Sequence, residues 1–143
     1  MNSVLQGGCA CAAVRYICVG KSHAGIHCQC RACQKSSGTG HTSNLLLDAY
    51  LFDLCGTVTY WRSTSDSGNQ VDRGFCSVCG TPIMTKSSGF PDFVFVRAAT
   101  LDDPNLFCPT MITHGKTTTE WDAIDPGLPY FSGDTEFVRT TDD

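Results

Sequence analysis

Three cysteines within six residues form the most reactive stretch of the sequence. Cys28, Cys30 and Cys33 follow the pattern C-x-C-x-x-C. Zinc binds thiolates in tetrahedral geometry at about 2.3 Å, so a triplet this close can surround one ion. No cysteine or histidine stands at ligand spacing directly after the triplet. Catalytic zinc sites usually have three protein ligands and one open position, whereas structural sites have four, and the triplet therefore predicts a catalytic zinc.

A closed structural site is the alternative interpretation of the triplet. It would need a fourth ligand from elsewhere in the chain, and the candidates are His27, His41, His114 and Cys108. Catalytic zinc sites with three thiolates are less common than sites that contain histidine, so the sequence leaves this alternative open.

A second group of cysteines is expected to bind a separate zinc ion. Cys76 and Cys79 form a C-x-x-C pair, and the following Gly80 permits the positive φ that such a tight turn needs. The pair requires two further ligands, and Cys9 and Cys11 are the free candidates. Spacing favours a closed four-thiolate site that ties the first strand to the middle of the sheet, but it does not decide which cysteines meet.

The cysteine content, together with the expected cellular location, favours metal binding over disulfide bonding. The chain has 143 residues, of which ten are cysteine, and a formal net charge of −4. The first residues lack the basic and apolar regions of an export signal, so we expect a reducing cytoplasmic location, where clustered cysteines indicate metal. No apolar run approaches the roughly 18 residues of a membrane span. The acidic charge and the lack of a basic run argue against nucleic-acid and membrane partners.

The rest of the sequence must position these cysteines, and it predicts one mainly β domain that spans residues 1–143. Residues Arg31–Ser37 have helical composition and precede Gly38, a common helix terminator. A helix that begins after Cys30 would point backbone N–H groups at the triplet, which lowers thiolate pKa values and attracts anions. Segments rich in β-branched and aromatic residues predict strands at 12–19, 26–28, 42–47, 52–55, 58–63, 71–75, 82–86, 93–98 and 111–114. A turn or single helical turn with an Asp cap is expected at 102–105.

Several other side chains have both a functional and a purely structural interpretation. Arg31, Lys35 and Arg73 lie close in sequence to the cysteines and could steer an anionic substrate, although such cations are often solvated surface charges. His41 and His114 could act as acid or base, but a satisfied core or surface position is the simpler expectation. An inert turn position is expected for His23, and core positions for Cys18, Cys55, Cys108, Trp61 and Trp121.

Three motifs resemble those of the glutathione-dependent formaldehyde-activating enzyme family, which also includes centromere protein V. The motifs are Gly7-Gly8-Cys9-Ala10-Cys11 with Val14-Arg15-Tyr16, Cys28-Gln29-Cys30-Arg31-Ala32-Cys33, and Arg73-Gly74-Phe75-Cys76-Ser77-Val78-Cys79-Gly80. Residues 100–104, Trp121 and residues 125–131 are similar to the C-terminal half of the family. The family usually has glycine at the position of Ala12.

This resemblance implies a zinc-bound β-tent of antiparallel sheets with two zinc ions. One is structural, on Cys9, Cys11, Cys76 and Cys79, and the second lies on Cys28, Cys30 and Cys33. The implied activity is that of a carbon–sulfur lyase that joins formaldehyde and glutathione, so the partners would be a small-molecule thiol and an electrophile. Relatives with other substrates are common, so the electrophile stays open, as does the formation of a homodimer. The alternative function is a non-catalytic, zinc-stabilised protein-binding module.

Overall fold

The computed structural model describes residues 3–137, which form strands, one α-helix and several short 3-10 helices. The elements are β1 (Val4–Gly8), β2 (Arg15–Val19), β3 (Gly25–Cys28), α1 (Arg31–Ser37), β4 (Thr42–Asp48), β5 (Phe52–Cys55), β6 (Val58–Thr64), β7 (Gln70–Cys76), β8 (Pro82–Ser87), β9 (Phe93–Arg97) and β10 (Met111–Thr113). The 3-10 helices are Ala49–Leu51, Ala98–Thr100, Pro104–Leu106 and Gly115–Thr117. None of the helices in the described range is long and apolar enough to cross a membrane.

The strands form two sheets of unequal size. The small sheet has the order β1-β2-β5, and the large sheet has the order β10-β3-β4-β9-β8-β7-β6. Neighbouring strands are antiparallel except β10, which pairs parallel with β3. The predicted mainly β fold with one short helix beside the triplet is therefore confirmed, and the parallel edge makes the large sheet mixed.

The large sheet separates the main hydrophobic core from a second face, because successive side chains of a strand point to opposite faces. On β9, Val94 and Val96 are fully buried in the main core, which they share with Tyr16 of the small sheet. Phe93 lies on the other face, in a second apolar cluster with Leu46 of β4. The face opposite the main core is the one that carries the triplet and the cavity described below.

Most predicted elements agree with the structure, and the exceptions have physical causes. Helix α1 and strand β5 have the predicted bounds, whereas the strand predicted at 12–19 begins only at Arg15. Residues before it form a turn in which the Cys9 N–H donates to the Val14 carbonyl. Strand β1 was not predicted, since adjacent glycines argue against a strand. A Cβ on Gly7 would lie 2.2 Å from the Thr100 carbonyl oxygen, so this close approach requires glycine.

Four residues expected in the core are exposed instead. Trp61 and Trp121 keep 59% and 68% of their surface in solvent, because Trp61 lies on the edge strand β6 and Trp121 lies in a loop. Cys55 and Cys108 are also exposed, whereas Cys18 is buried as predicted. His23 lies in the bend before β3, where its Nε2 is 2.9 Å from the carboxylate of Asp48.

The backbone of Ala12 provides a test of this fold. Its φ of 67° lies in the left-handed region, which costs an L-residue roughly 1–2 kcal/mol, and its side chain is exposed. Glycine avoids that strain but gains entropy in the unfolded chain, so Ala12→Gly should raise the free energy of unfolding by about 0.5–1 kcal/mol in urea denaturation. The neighbouring Ala13 is also exposed but has a negative φ, and Ala13→Gly should lower stability. An Ala12→Gly protein as weakened as Ala13→Gly would contradict this backbone conformation.

Candidate metal centres and the adjoining cavity

Four cysteines from distant parts of the chain meet where the two sheets join. The sulfur atoms of Cys9, Cys11, Cys76 and Cys79 all lie within 4.8 Å of one another. Cys11 Sγ is 3.6 Å from Cys9 Sγ and 3.8 Å from Cys76 Sγ. Thiolates bound tetrahedrally to zinc are separated by about 3.8 Å, so the group fits a zinc ion. The structure thus brings together the four cysteines that the family resemblance implies as ligands of one zinc.

Backbone N–H groups of the turns donate to two of these four sulfurs. The Val14 N–H donates to Cys9 Sγ over 3.2 Å, and the Cys79 N–H donates to Cys76 Sγ over 3.5 Å. Gly80 has a φ of 78°, the positive value expected after a C-x-x-C pair. Hydrogen bonds from the side chain and backbone of Thr81 lower the pKa of the Cys79 thiol to about 5. The metal-binding form of this thiol is therefore favoured at neutral pH.

The triplet lies where β3 enters helix α1. Cys28 is the last residue of β3, Cys30 caps the helix, and Cys33 is in its first turn. Cys30 Sγ accepts a hydrogen bond from the Cys33 N–H over 3.2 Å. All three sulfurs lie within 4.8 Å of one another, so they can face one ion. The helix thus begins directly after Cys30 and points a backbone N–H at the triplet, as predicted.

No fourth ligand joins the triplet among the histidine, cysteine, aspartate and glutamate residues at positions 3–137. The candidates for a closed site make other contacts. His27 Nδ1 lies 2.9 Å from Ser43 Oγ, and His41 Nδ1 lies 2.9 Å from the Asp122 carboxylate. His114 bonds to Asp134, and Cys108 is exposed. The group therefore consists of three cysteine sulfurs without a fourth protein ligand in the described range.

The three thiols of the triplet titrate as a coupled group. Hydrogen bonds with Cys28 and Cys30 lower the pKa of Cys33 well below its ordinary value. Hydrogen bonds with Cys30 and Cys33, together with burial, raise the pKa of Cys28 well above its ordinary value. The group therefore gives up a first proton readily but resists full deprotonation unless a cation balances the charge.

A network of buried amides holds the triplet in place. The Gln29 side-chain amide donates to Thr118 Oγ1 over 2.8 Å and to Asp122 Oδ2 over 3.1 Å. The Gln34 amide donates to the backbone carbonyls of Gln29 and Thr117, at 3.0 and 2.9 Å. These bonds tie α1 to the segment after β10. These residues were not predicted from the sequence, because nothing local shows that residues 117–122 return to the triplet.

A cavity of about 490 Å³ opens beside the triplet on the second face of the large sheet. All three cysteines line it. Of the predicted substrate contacts, Arg31 and Arg73 line the cavity, whereas Lys35 is exposed on α1 outside it. His114 also lines the cavity, and His41 does not. The cavity is large enough for a small molecule at the triplet.

Two arginines, the buried Arg97 and the half-buried Arg73, place positive charge in this cavity. Arg97 is 8% exposed, and its Nη1 donates to Asn44 Oδ1 over 2.6 Å. Arg73 Nη1 donates to Ser63 Oγ over 3.0 Å. The Nε atoms of both arginines are buried without a hydrogen-bond partner, and neither side chain pairs with a carboxylate among residues 3–137. The role of Arg97 was not predicted from the sequence, although a charged residue at the end of an apolar strand was a usable signal.

His114 combines an unusual backbone with an acidic partner. Its φ of 55° is left-handed, and its Nε2 lies 2.7 Å from Asp134 Oδ1. The hydrogen bond to Asp134 raises the pKa of His114 above its ordinary value, although partial burial opposes the shift. His114 is therefore protonated over a wider pH range than a free imidazole.

Comparisons with known proteins agree with this geometry. The model of a family described as glutathione-dependent formaldehyde-activating enzyme matches residues 4–117. Among solved structures, the fold is similar to that of a Rhodobacter sphaeroides protein determined as a structural genomics target. The two superpose with a TM-score of 0.54 and 14% sequence identity over 88% of this chain and 98% of the other. At this identity the likeness concerns the fold alone. No curated protein matches the sequence.

The two cysteine groups should differ in their effect on stability. Cys76→Ser removes a ligand that ties the sheets together, so it should lose one zinc per chain and strongly lower the unfolding midpoint, since structural zinc contributes folding free energy. Cys30→Ser should also lose one zinc but reduce the midpoint less, because the triplet lies beside one short helix. Elemental analysis and thermal unfolding measure both effects, with the exposed Cys55→Ser as the matched control. Equal losses of stability in both variants would contradict these separate roles.

The His114 pair should make stability depend on pH. Because its folded pKa is raised, the pair stabilises the protein fully below about pH 6.5, the unfolded value, and this contribution is lost as pH rises through the folded pKa. Asp134→Asn should therefore lower the unfolding midpoint more at pH 5.5 than at pH 8.5. An NMR titration should show a lower His114 pKa in this variant. An unchanged imidazole titration would contradict the ion pair.

Proposed function

Because the chain belongs to the glutathione-dependent formaldehyde-activating enzyme family, we propose that it is a zinc-dependent carbon–sulfur lyase. Its substrate would be a glutathione adduct of an aldehyde or related electrophile. The observation that carries this proposal is the three-cysteine group, which borders a cavity and has no fourth ligand among the described residues. Three protein ligands and one open position are typical of catalytic zinc.

The chain's residues fit two zinc ions with different duties. Cys28, Cys30 and Cys33 would hold the catalytic ion, and the four-cysteine group would hold a structural one. Zinc at the triplet would favour the thiolate over the thiol form of an incoming sulfur ligand. Three close thiols that resist full deprotonation on their own are the kind of donor set that a divalent cation stabilises.

Binding of the anionic thiol is assigned to the arginines of the cavity. The protein has a net charge of −4, so local cations must attract glutathione. Arg73 and Arg97 have buried Nε donors without partners, and a carboxylate could accept from both. Arg31 lines the same cavity, but its Nη1 already donates to Gln34 Oε1. Lys35 lies outside the cavity and has no part in this proposal.

Bond formation requires a proton to leave sulfur and a proton to reach oxygen. The thiol loses its proton and its sulfur attacks the aldehyde carbon, so a C–S bond forms. The π electrons of the C=O bond move to oxygen, which takes up a proton to give the hydroxyl of a thiohemiacetal. His114 lines the cavity and is held by Asp134, so it is the proposed donor to that oxygen. Cleavage of the adduct is the reverse process.

The proposal includes a small-molecule thiol and electrophile as partners and a reducing cytoplasmic setting, which keeps ten cysteines available as thiols or thiolates. The alternative is a zinc-stabilised protein-binding module with no turnover. The two functions differ in what the triplet does once zinc is bound.

Loss of the triplet should abolish turnover without unfolding the protein. Exchange NMR can measure the rate at which glutathione and formaldehyde form S-hydroxymethylglutathione above the spontaneous rate. Cys30→Ser should reduce this enzymatic rate at least about a hundredfold, because the open metal site is lost, whereas Cys55→Ser should match the wild type. A folded Cys30→Ser protein with full activity would refute the assignment. A wild-type protein with two zinc ions but no acceleration would favour the binding module.

A further inference from the structure

The triplet lies between two unlike parts of the cavity. Cys28 packs at the edge of the second apolar cluster, together with Phe90, Phe95 and Phe137. These three phenylalanines, called the aromatic pocket below, also line the cavity. The other part of the cavity contains Arg73, Arg97 and polar side chains. A molecule bound at the triplet therefore meets an apolar surface on one side and a polar, cationic surface on the other.

The aromatic pocket is a packed arrangement of rings. The ring centroids of Phe90 and Phe137 are 4.9 Å apart, those of Phe95 and Phe137 are 5.4 Å apart, and those of Phe90 and Phe95 are 6.0 Å apart. In the same order, the ring planes meet at 67°, 75° and 73°, which is the edge-to-face geometry that aromatic rings prefer. All three rings keep part of their surface accessible, whereas Leu46 and Ile26 of the same cluster are 0% and 2% exposed. The rings thus expose apolar surface to the cavity.

Strand β9 fixes the aromatic pocket beside the cationic part. Phe95 and Arg97 are two residues apart and point to the same face of the sheet, so their Cα atoms are about 7 Å apart. Phe95 pairs with Leu46 across β4, and Arg97 pairs with Asn44. A ligand whose carboxylate contacts Arg97 can therefore place an apolar group of modest size against Phe95.

The polar part of the cavity offers hydrogen-bonding groups that suit a peptide thiol. Residues 63–67 and Asn69, from the end of β6 and the turn that follows it, line it with hydroxyl, amide and carboxyl groups. Peptide bonds and carboxylates of glutathione can hydrogen-bond to such a surface. A one-carbon hydroxymethyl group on the sulfur cannot cover the aromatic pocket, which would stay in contact with water.

We propose that the electrophile is an aldehyde with an apolar, aromatic-sized substituent, which binds in the aromatic pocket. This inference rests on the proposed function and replaces the one-carbon aldehyde by R–CHO. The sulfur of the thiol forms a bond to the aldehyde carbon, the C=O π electrons move to oxygen, and oxygen gains the proton that sulfur loses. The product is the thiohemiacetal of the larger aldehyde, and no further reactant is required.

Binding of stable adduct analogues tests this inference without turnover. S-benzylglutathione carries an aromatic group on the sulfur, and S-methylglutathione carries one carbon. Calorimetry with the zinc-loaded protein should give a dissociation constant about tenfold or more lower for the benzyl compound, since added apolar groups in a fitted pocket change affinity by roughly that factor. Equal affinities, or tighter binding of the methyl compound, would overturn the inference.

Substitution within the aromatic pocket shows whether it causes the preference. Phe95→Leu removes the ring but keeps an apolar side chain, and the ratio of the two affinities should fall to about threefold or less. Phe90→Leu should act in the same direction and serves if Phe95→Leu does not fold. Phe52→Leu is the matched control, because Phe52 packs against the main core outside the cavity. A ratio that is unchanged in both pocket variants would overturn the assignment.

Turnover rates with two aldehydes distinguish a failure of this inference from a failure of the proposed function. The wild-type protein should accelerate adduct formation from glutathione and phenylacetaldehyde with a kcat/KM at least about tenfold above that for formaldehyde. A preference for formaldehyde would overturn the aromatic substrate while the lyase function stands. No acceleration with either aldehyde, and no binding of either analogue, would overturn the proposed function and this inference with it.

Discussion

The close approach of cysteine sulfurs from distant segments is the constraint on which this structure depends. Seven cysteine sulfurs lie in two groups, each compact enough for one ion, and each is more stable with a divalent cation among its charges. Cys9 and Cys11 come from the loop that joins β1 to β2, Cys76 is the last residue of β7, and Cys79 lies in the turn that follows it. A metal on these four residues would connect the small sheet to the large one.

The triplet uses the same chemistry with a different charge balance. Three thiolates and a zinc ion would carry a charge of about −1, and the guanidiniums of the half-buried Arg73 and the buried Arg97 add two positive charges without a carboxylate partner in the described part of the chain. Arg31 and Lys116 add positive charge to the same cavity, and Asp66 and Asp134 offset it with negative charge. The zinc, the three thiolates and the two guanidiniums by themselves would therefore lack one negative charge for neutrality. An incoming thiolate or carboxylate would supply it, which explains how an acidic protein can have a cavity for an anion.

Local chemistry made the cysteine groups and the helix predictable, while long-range packing hid much of the site. The spacing of Cys28, Cys30 and Cys33 and the glycine after Cys79 can be interpreted from neighbouring residues alone. In contrast, Arg97 becomes important only because β9 lies next to β4, and the aromatic pocket combines Phe90, Phe95 and Phe137 from separate segments. Strand β1 was missed because Gly7 is required by a contact with the distant Thr100. Trp61 was wrongly expected in the core, because the order of all the strands decides which strand lies at the edge of the sheet.

The number of sulfur ligands per zinc, measured by X-ray absorption before and after addition of glutathione, tests the central claim most directly. One closed group of four thiolates and one open group of three should give a mean of about 3.5 sulfurs per zinc. The account predicts a rise to about 4 with glutathione, and a constant value in the Cys30→Ser protein, which keeps only the closed group. A mean of 4 without glutathione, or no change when it is added to the wild type, would contradict an open site for the substrate thiol.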